Sequence, residues 1–170
     1  GESLRRVAHM LHELNAFSIG TVNELDYDRR IDAYGEVAAQ LKSGALEPSL
    51  ALPILCQCLH DLELDDMALR HSASHAAALL VRHAAVRGAQ VEADDASATA
   101  VAPAAPPAPA IPAASERSAW AGLLANVLMP ALRRGLRLPP ERELVRAEMV
   151  RLLSVALEAR PALQPEMAPL

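Results

Sequence analysis

Leu52-Pro53-Ile54-Leu55 recurs as Met129-Pro130-Ala131-Leu132, and the residues that follow each copy keep the same helical period. Leu59 answers to Leu136. One residue then drops out of the turn, after which Leu69-Arg70 answers to Val145-Arg146, Ala73 to Met149, and Ala76-Ala77 to Leu152-Leu153. The shared pattern is a helix with an internal Pro, a short acidic or Pro-containing turn, and a second helix opened by an apolar residue plus Arg. A single pair of this kind cannot bury its apolar face and must stack on a neighbour, as HEAT repeats do. The pattern predicts an all-α, HEAT/armadillo-like α-solenoid fragment of about six helices with a disordered Ala/Pro-rich insert.

Composition points the same way. Hydrophobic residues make up 52% of the chain and aromatics 2%, too few aromatics for a β-sandwich or barrel. Ala and Leu dominate, which suits closely packed helices. No apolar run is long enough to span a membrane without an Arg, His, Asp or Pro interrupting it. Cys56 and Cys58 are too close together for a disulfide framework, so a reducing compartment is expected. The chain lacks an initiator Met and ends on Pro169-Leu170, and it reads as an internal piece of something longer.

Along the chain, Leu4, Val7, Leu11 and Leu14 give the apolar stripe of a helix over residues 3–14. A second helix is expected from Glu24 to Lys42, capped by Asn23, ended by Gly44, and buried through Tyr27, Ile31, Tyr34, Ala38 and Leu41. Pro48 opens a third helix running to Leu62, with Pro53 kinking it. Asp65-Asp66 offer caps to a fourth, which starts at Met67, faces inward through Leu69, Ala73, Ala76, Ala77 and Leu80, and ends at Gly88. The three domains expected are helical repeats over 1–88, a flexible Ala/Pro-rich linker over 89–117, and a repeat pair over 118–170 with a fraying tail. In the last of these, Ser118 caps a helix from Ala119 to Arg137, and Pro139-Pro140 turn into a helix over Glu141 to Ala159. Its inward positions are Leu144, Val145, Met149, Leu152, Leu153 and Ala156.

Three blocks, in order, resemble one family. The first is Asn15-Ala16-Phe17-Ser18 followed by Asn23-Glu24-Leu25-Asp26-Tyr27-Asp28-Arg29-Arg30-Ile31-Asp32-Ala33-Tyr34. The second is Leu69-Arg70-His71-Ser72-Ala73-Ser74; the third is Pro130-Ala131-Leu132-Arg133-Arg134-Gly135-Leu136 with Glu143-Leu144-Val145-Arg146. Together they resemble the DRIM (down-regulated-in-metastasis) family, the very large HEAT-repeat component numbered twenty among the U-three snoRNA-associated proteins of the small-subunit processome. The resemblance spans residues 15–87 and 124–160. It implies a non-catalytic, nucleolar scaffold acting in ribosome assembly and small-subunit pre-rRNA processing. The implied partners are pre-ribosomal RNA, processome proteins and neighbouring repeats of the same parent chain, with no cofactor, no membrane and no small-molecule substrate. Cys56-Gln57-Cys58, where bulkier apolar residues are the family's habit, and the long Ala/Pro insert depart from the pattern. A HEAT-repeat adaptor in transport or signalling is the alternative that the periodicity alone allows.

The remaining candidates for chemistry are few. Positions two apart on a helix point about 200° away from each other, so Cys58 faces away from both Cys56 and His60 and the trio cannot converge on one ion. His71 and His75 have metal-gripping spacing but lack a third ligand. No carboxylate dyad, Ser-His-Asp order or phosphate-binding Gly loop occurs. Asp26 and Arg30, four apart, are expected to pair within a salt-bridge network, and Arg70 and Arg146 to reach acids in adjacent turns. Charge is unevenly spread: residues 1–88 hold eight Lys/Arg against twelve Asp/Glu, whereas 117–170 hold eight Arg against five Glu. The cluster Arg133, Arg134 and Arg137 in that basic third is the candidate for binding RNA phosphates or an acidic partner. Its alternative is a solvated helix face paired with Glu141 and Glu143. With so few aromatics, any RNA contact should be to the backbone and salt-sensitive.

Overall fold

The computed structural model describes residues 2–21, 23–98 and 118–159. They form six helices and no strand: α1 (Glu2–Leu14), α2 (Tyr27–Ser43), α3 (Pro48–Asp61), α4 (Met67–Ala98), α5 (118–135) and α6 (Glu143–Ala159). The all-α, solenoid-type fold expected from the repeat is the fold observed. The chain divides into two compact units, Gly1–Leu80 and Val81–Leu170.

In the first unit α1 packs on both α2 and α3. The core is built from Met10, Leu14, Val37, Leu41, Ile54 and Leu55, with the small residues Ala51, Ala73, Ala76 and Ala77 fully enclosed. Several sequence expectations shift by a residue or a turn. In α1, Met10 and Leu14 carry the burial while Leu4 is 73% exposed, because the buried stripe is set by the last two turns. α2 starts later than expected. Asn23 is not its cap but a left-handed residue with φ 63°, and Asp26 is the N-cap, its Oδ1 accepting from the Arg29 N–H at 3.2 Å. Tyr27 is therefore the first helical residue and is partly exposed; Ala33, Tyr34, Val37, Ala38 and Leu41 form the buried face, joined by Arg30. Gly44 does end α2, in the left-handed conformation at φ 71°, its N–H returning to the last carbonyls. Asp66 caps α4, its Oδ1 accepting from the Leu69 N–H at 2.7 Å.

α4 does not stop at Gly88 but continues to Ala98. Nothing from Ala89 to Ala98 breaks a helix, since the prolines begin only at Pro103. Of the expected linker, residues 89–98 are thus helical and 99–117 lie outside the described residues, as does the tail expected to fray beyond Ala159.

In the second unit α5 begins by residue 118, so Ser118 is already helical. A π-helical turn, Leu124–Leu128, interrupts it, with the Met129 N–H bonded five residues back to Leu124 O. Pro130 follows at once. Its ring has no N–H to give and would crowd the carbonyl four residues earlier, and the wider π turn relieves that crowding. The helix closes at Gly135, two residues before the expected Arg137. A 3-10 turn, Pro140–Arg142, then leads into α6. Val145, Met149, Leu152, Leu153 and Ala156 are buried as predicted, whereas Leu144 is 69% exposed. At about 100° per residue it sits a full step off the buried stripe.

Gly135 and Met149 define how closely α5 and α6 approach. A Cβ on Gly135 would lie 2.3 Å from Met149 Cγ and 2.8 Å from its Sδ. By the repeat correspondence these positions match Cys58 and Ala73, both fully buried. The bulk sits on the second helix in one copy and on the first in the other.

Candidate functional site

The block that carries the family resemblance folds into a single hydrogen-bonded cluster. Arg30 and Asp61 are almost fully buried, 1% and 0% exposed, and are the two charged residues of the described core. Arg30 sits on the inner face of α2 and spends all of its guanidinium nitrogens. Nη1 donates to Asp61 Oδ1 at 3.0 Å, Nε to the Ala16 carbonyl at 3.1 Å, and Nη2 to Asn15 Oδ1 at 3.0 Å. Asp61, the last residue of α3, also accepts from Tyr34 Oη at 2.8 Å and Gln57 Nε2 at 3.0 Å. Burial, then the nearby Cys58 and Asp61, push the Tyr34 phenol far above its usual range, so it stays a donor. Burial likewise pushes the Cys58 thiol up.

The cluster ties down the α1–α2 connection. Phe17 and Leu25 face each other in an isolated antiparallel bridge, with the Ser18 N–H donating to Glu24 O at 2.8 Å and the Asp26 N–H to Ala16 O at 3.1 Å. The Arg30 guanidinium carbon lies 5.6 Å from the centre of the Phe17 ring. Beside it, Arg29 grips Glu13 of α1 in a bidentate pair, Nε–Oε2 2.9 Å and Nη2–Oε1 2.7 Å. That bond holds the Glu13 carboxyl below its ordinary pKa.

The expected Asp26–Arg30 pair is therefore not formed. Asp26 is occupied as a cap, and Arg30, at i+4, turns inward to the buried carboxylate at the end of α3. Sequence reasoning missed Asp61 because a partner on another helix leaves no spacing signature. Arg70 and Arg146 form no ion pair with another described residue, contrary to expectation.

His71 and His75 are both exposed and line, with Asp32 and Gly35, an open groove of about 430 Å³ between α2 and α4. Among the described residues no group of three or more His, Cys, Asp or Glu is arranged to hold a metal ion. Cys56 is exposed and Cys58 buried, on opposite sides of α3. No described helix is long and apolar enough to cross a membrane.

Arg133 and Arg134 occupy the last turn of α5, Arg133 half-buried and Arg134 exposed. Arg137 is exposed in the turn beyond, its N–H bonded to Arg134 O at 3.1 Å. The helix end thus separates Arg137 from the helical face that spacing alone would give it. None of the three forms an ion pair with Glu141, Glu143 or any other described residue. The positive charge at the carbonyl end of the helix suits its dipole.

Comparison with known proteins adds one match. No curated protein and no solved structure matches the chain. The family model described as U3 small nucleolar RNA-associated protein 20, N-terminal, matches residues 1–139, a span that includes the Arg30 cluster and the three arginines. By a match over most of its length, the chain belongs to the U3 small nucleolar RNA-associated protein 20 family, and so to the processome proteins of ribosome biogenesis.

Proposed function

We propose that this chain is a non-catalytic scaffold segment of a nucleolar ribosome-assembly factor acting in small-subunit pre-rRNA processing. In this reading Arg133, Arg134 and Arg137 hold pre-ribosomal RNA through its phosphates. Family membership over residues 1–139 carries the proposal, since the matched stretch extends through Arg137. The three arginines support it physically: none is ion-paired with a described acid, and they present positive charge in a basic third of the chain. The aromatics are too few to stack bases, which leaves backbone contact. Processome proteins and neighbouring repeats of the parent chain are the protein partners in this reading.

The test is charge reversal at all three positions in the full-length parent, followed by recovery of pre-rRNA over a salt series. Retention should fall, and the slope of log affinity against log salt should flatten by about 2 as three phosphate contacts are lost. Circular dichroism should be unchanged. Unaltered retention with folded protein would remove the cluster from the RNA contact. Absence of pre-rRNA and processing factors from the wild-type purification would overturn the assignment itself.

A further inference from the structure

From the base formed by the Arg30 cluster, we infer that residues 15–21, which follow α1, form a preformed docking knob. Its apolar tip enters an apolar socket, rimmed by Lys or Arg, on a partner protein. Ile19 is 96% exposed, the most exposed of the large apolar side chains described, and Phe17 on the same loop is 48% exposed. Loop tips are ordinarily left to small polar residues, and an isolated exposed Leu or Ile needs no explanation. Here two large apolar residues sit together on a support held from several directions. The bridge pairs Phe17 with Leu25, and Arg30 bonds Ala16 O and Asn15 while its guanidinium covers one side of Phe17. At the tip, the Gly20 N–H donates to Ser18 Oγ at 3.3 Å, and Ser18 Oγ lies 3.5 Å from Thr21 Oγ1. A knob ordered in advance loses little freedom on docking.

Charge selects the class of partner. Residues 15–28 contain Glu24, Asp26 and Asp28 and no Lys or Arg. Asp26 is engaged as a cap, whereas Glu24 and Asp28 are exposed and pair with no described residue. An acidic collar repels nucleic acid and anionic lipid and complements a basic rim. The inference uses none of the three arginines and does not depend on the RNA reading.

Site-specific cross-linking tests it in the full-length protein within its own cells. A benzophenone amino acid replaces Ile19, and in a second variant the exposed Thr21, with Lys42 as an exposed helical control. Both tip probes should label one segment of another protein, an apolar stretch flanked by Lys or Arg. Adding Glu24→Arg and Asp28→Arg should lower that yield several-fold, with circular dichroism unchanged. Adducts to RNA, to lipid or to the parent chain itself would overturn the proposal. So would labelling no stronger than that of the Lys42 control, or insensitivity to the charge reversal.

Discussion

Arg30 Nη1 on α2 lies 3.0 Å from Asp61 Oδ1 at the end of α3, and neither side chain reaches solvent. The pair joins two helices and, through the other guanidinium nitrogens, fixes the loop that precedes α2. Every polar atom of such a pair must be matched, because desolvation is offset only by complete hydrogen bonding. Tyr34, Gln57, Asn15 and the Ala16 carbonyl provide that matching.

Asp61→Ala should therefore cost about 3–5 kcal/mol in urea unfolding, since it leaves the Arg30 cation buried without its counter-charge. Tyr34→Phe, which removes one hydrogen bond to a charged acceptor, should cost about 2 kcal/mol. The double change Arg30→Met with Asp61→Leu should lose less than Asp61→Ala alone. If it lost more, the pair would be worth more than its desolvation, contrary to this account.

Gly135→Ala offers a test with a sign change. Helix propensity alone predicts a gain of roughly 0.5–1 kcal/mol. The new methyl would instead meet the buried Met149 side chain, so we expect a net loss of about 1 kcal/mol in the wild-type background. With Met149→Ala already present, the same substitution should become stabilising, and a double-mutant cycle of chemical denaturations reads the difference.

The Glu13–Arg29 pair sets a pH dependence. Glu13 has a lowered pKa in the fold, so its contribution is complete above the ordinary carboxylate value of 4.5 and is lost as pH falls through the lowered one. Urea midpoints of the wild type and of Glu13→Gln should differ at neutral pH and converge in acid. A constant gap down to the lowest accessible pH would contradict the assignment.

Thiol titration separates the two cysteines. Cys56 is exposed and should react with a disulfide reagent in the native protein; Cys58, enclosed and with its thiol pushed up by burial, should react only on unfolding. Cys56→Ser should abolish the native reaction.

Much of the fold was legible in the sequence. The repeat of Pro-containing helices, the 3.6-residue period of Leu69 to Leu80, the Gly44 stop and the Asp66 cap are local signals, and each appears in the structure. Local chemistry misled where two local signals competed. Asn23 and Asp26 can both cap a helix, and the bridge between Phe17 and Leu25 decided for Asp26. Gly88 is an ordinary stop signal, yet no proline follows until Pro103, and the helix passes through it.

The sequence by itself determined the helical class, the repeat and the family block at residues 23–34, because periodicity and capping act over a few residues. Only the tertiary structure decided that Arg30 turns inward to Asp61, that Gly135 must stay small for Met149, and that Ile19 stands out on a fixed support. Those outcomes depend on which surfaces the helices bring within a few ångströms of each other. Residues far apart along the chain are joined by desolvation and close packing, which leave no periodic trace in the order of the amino acids.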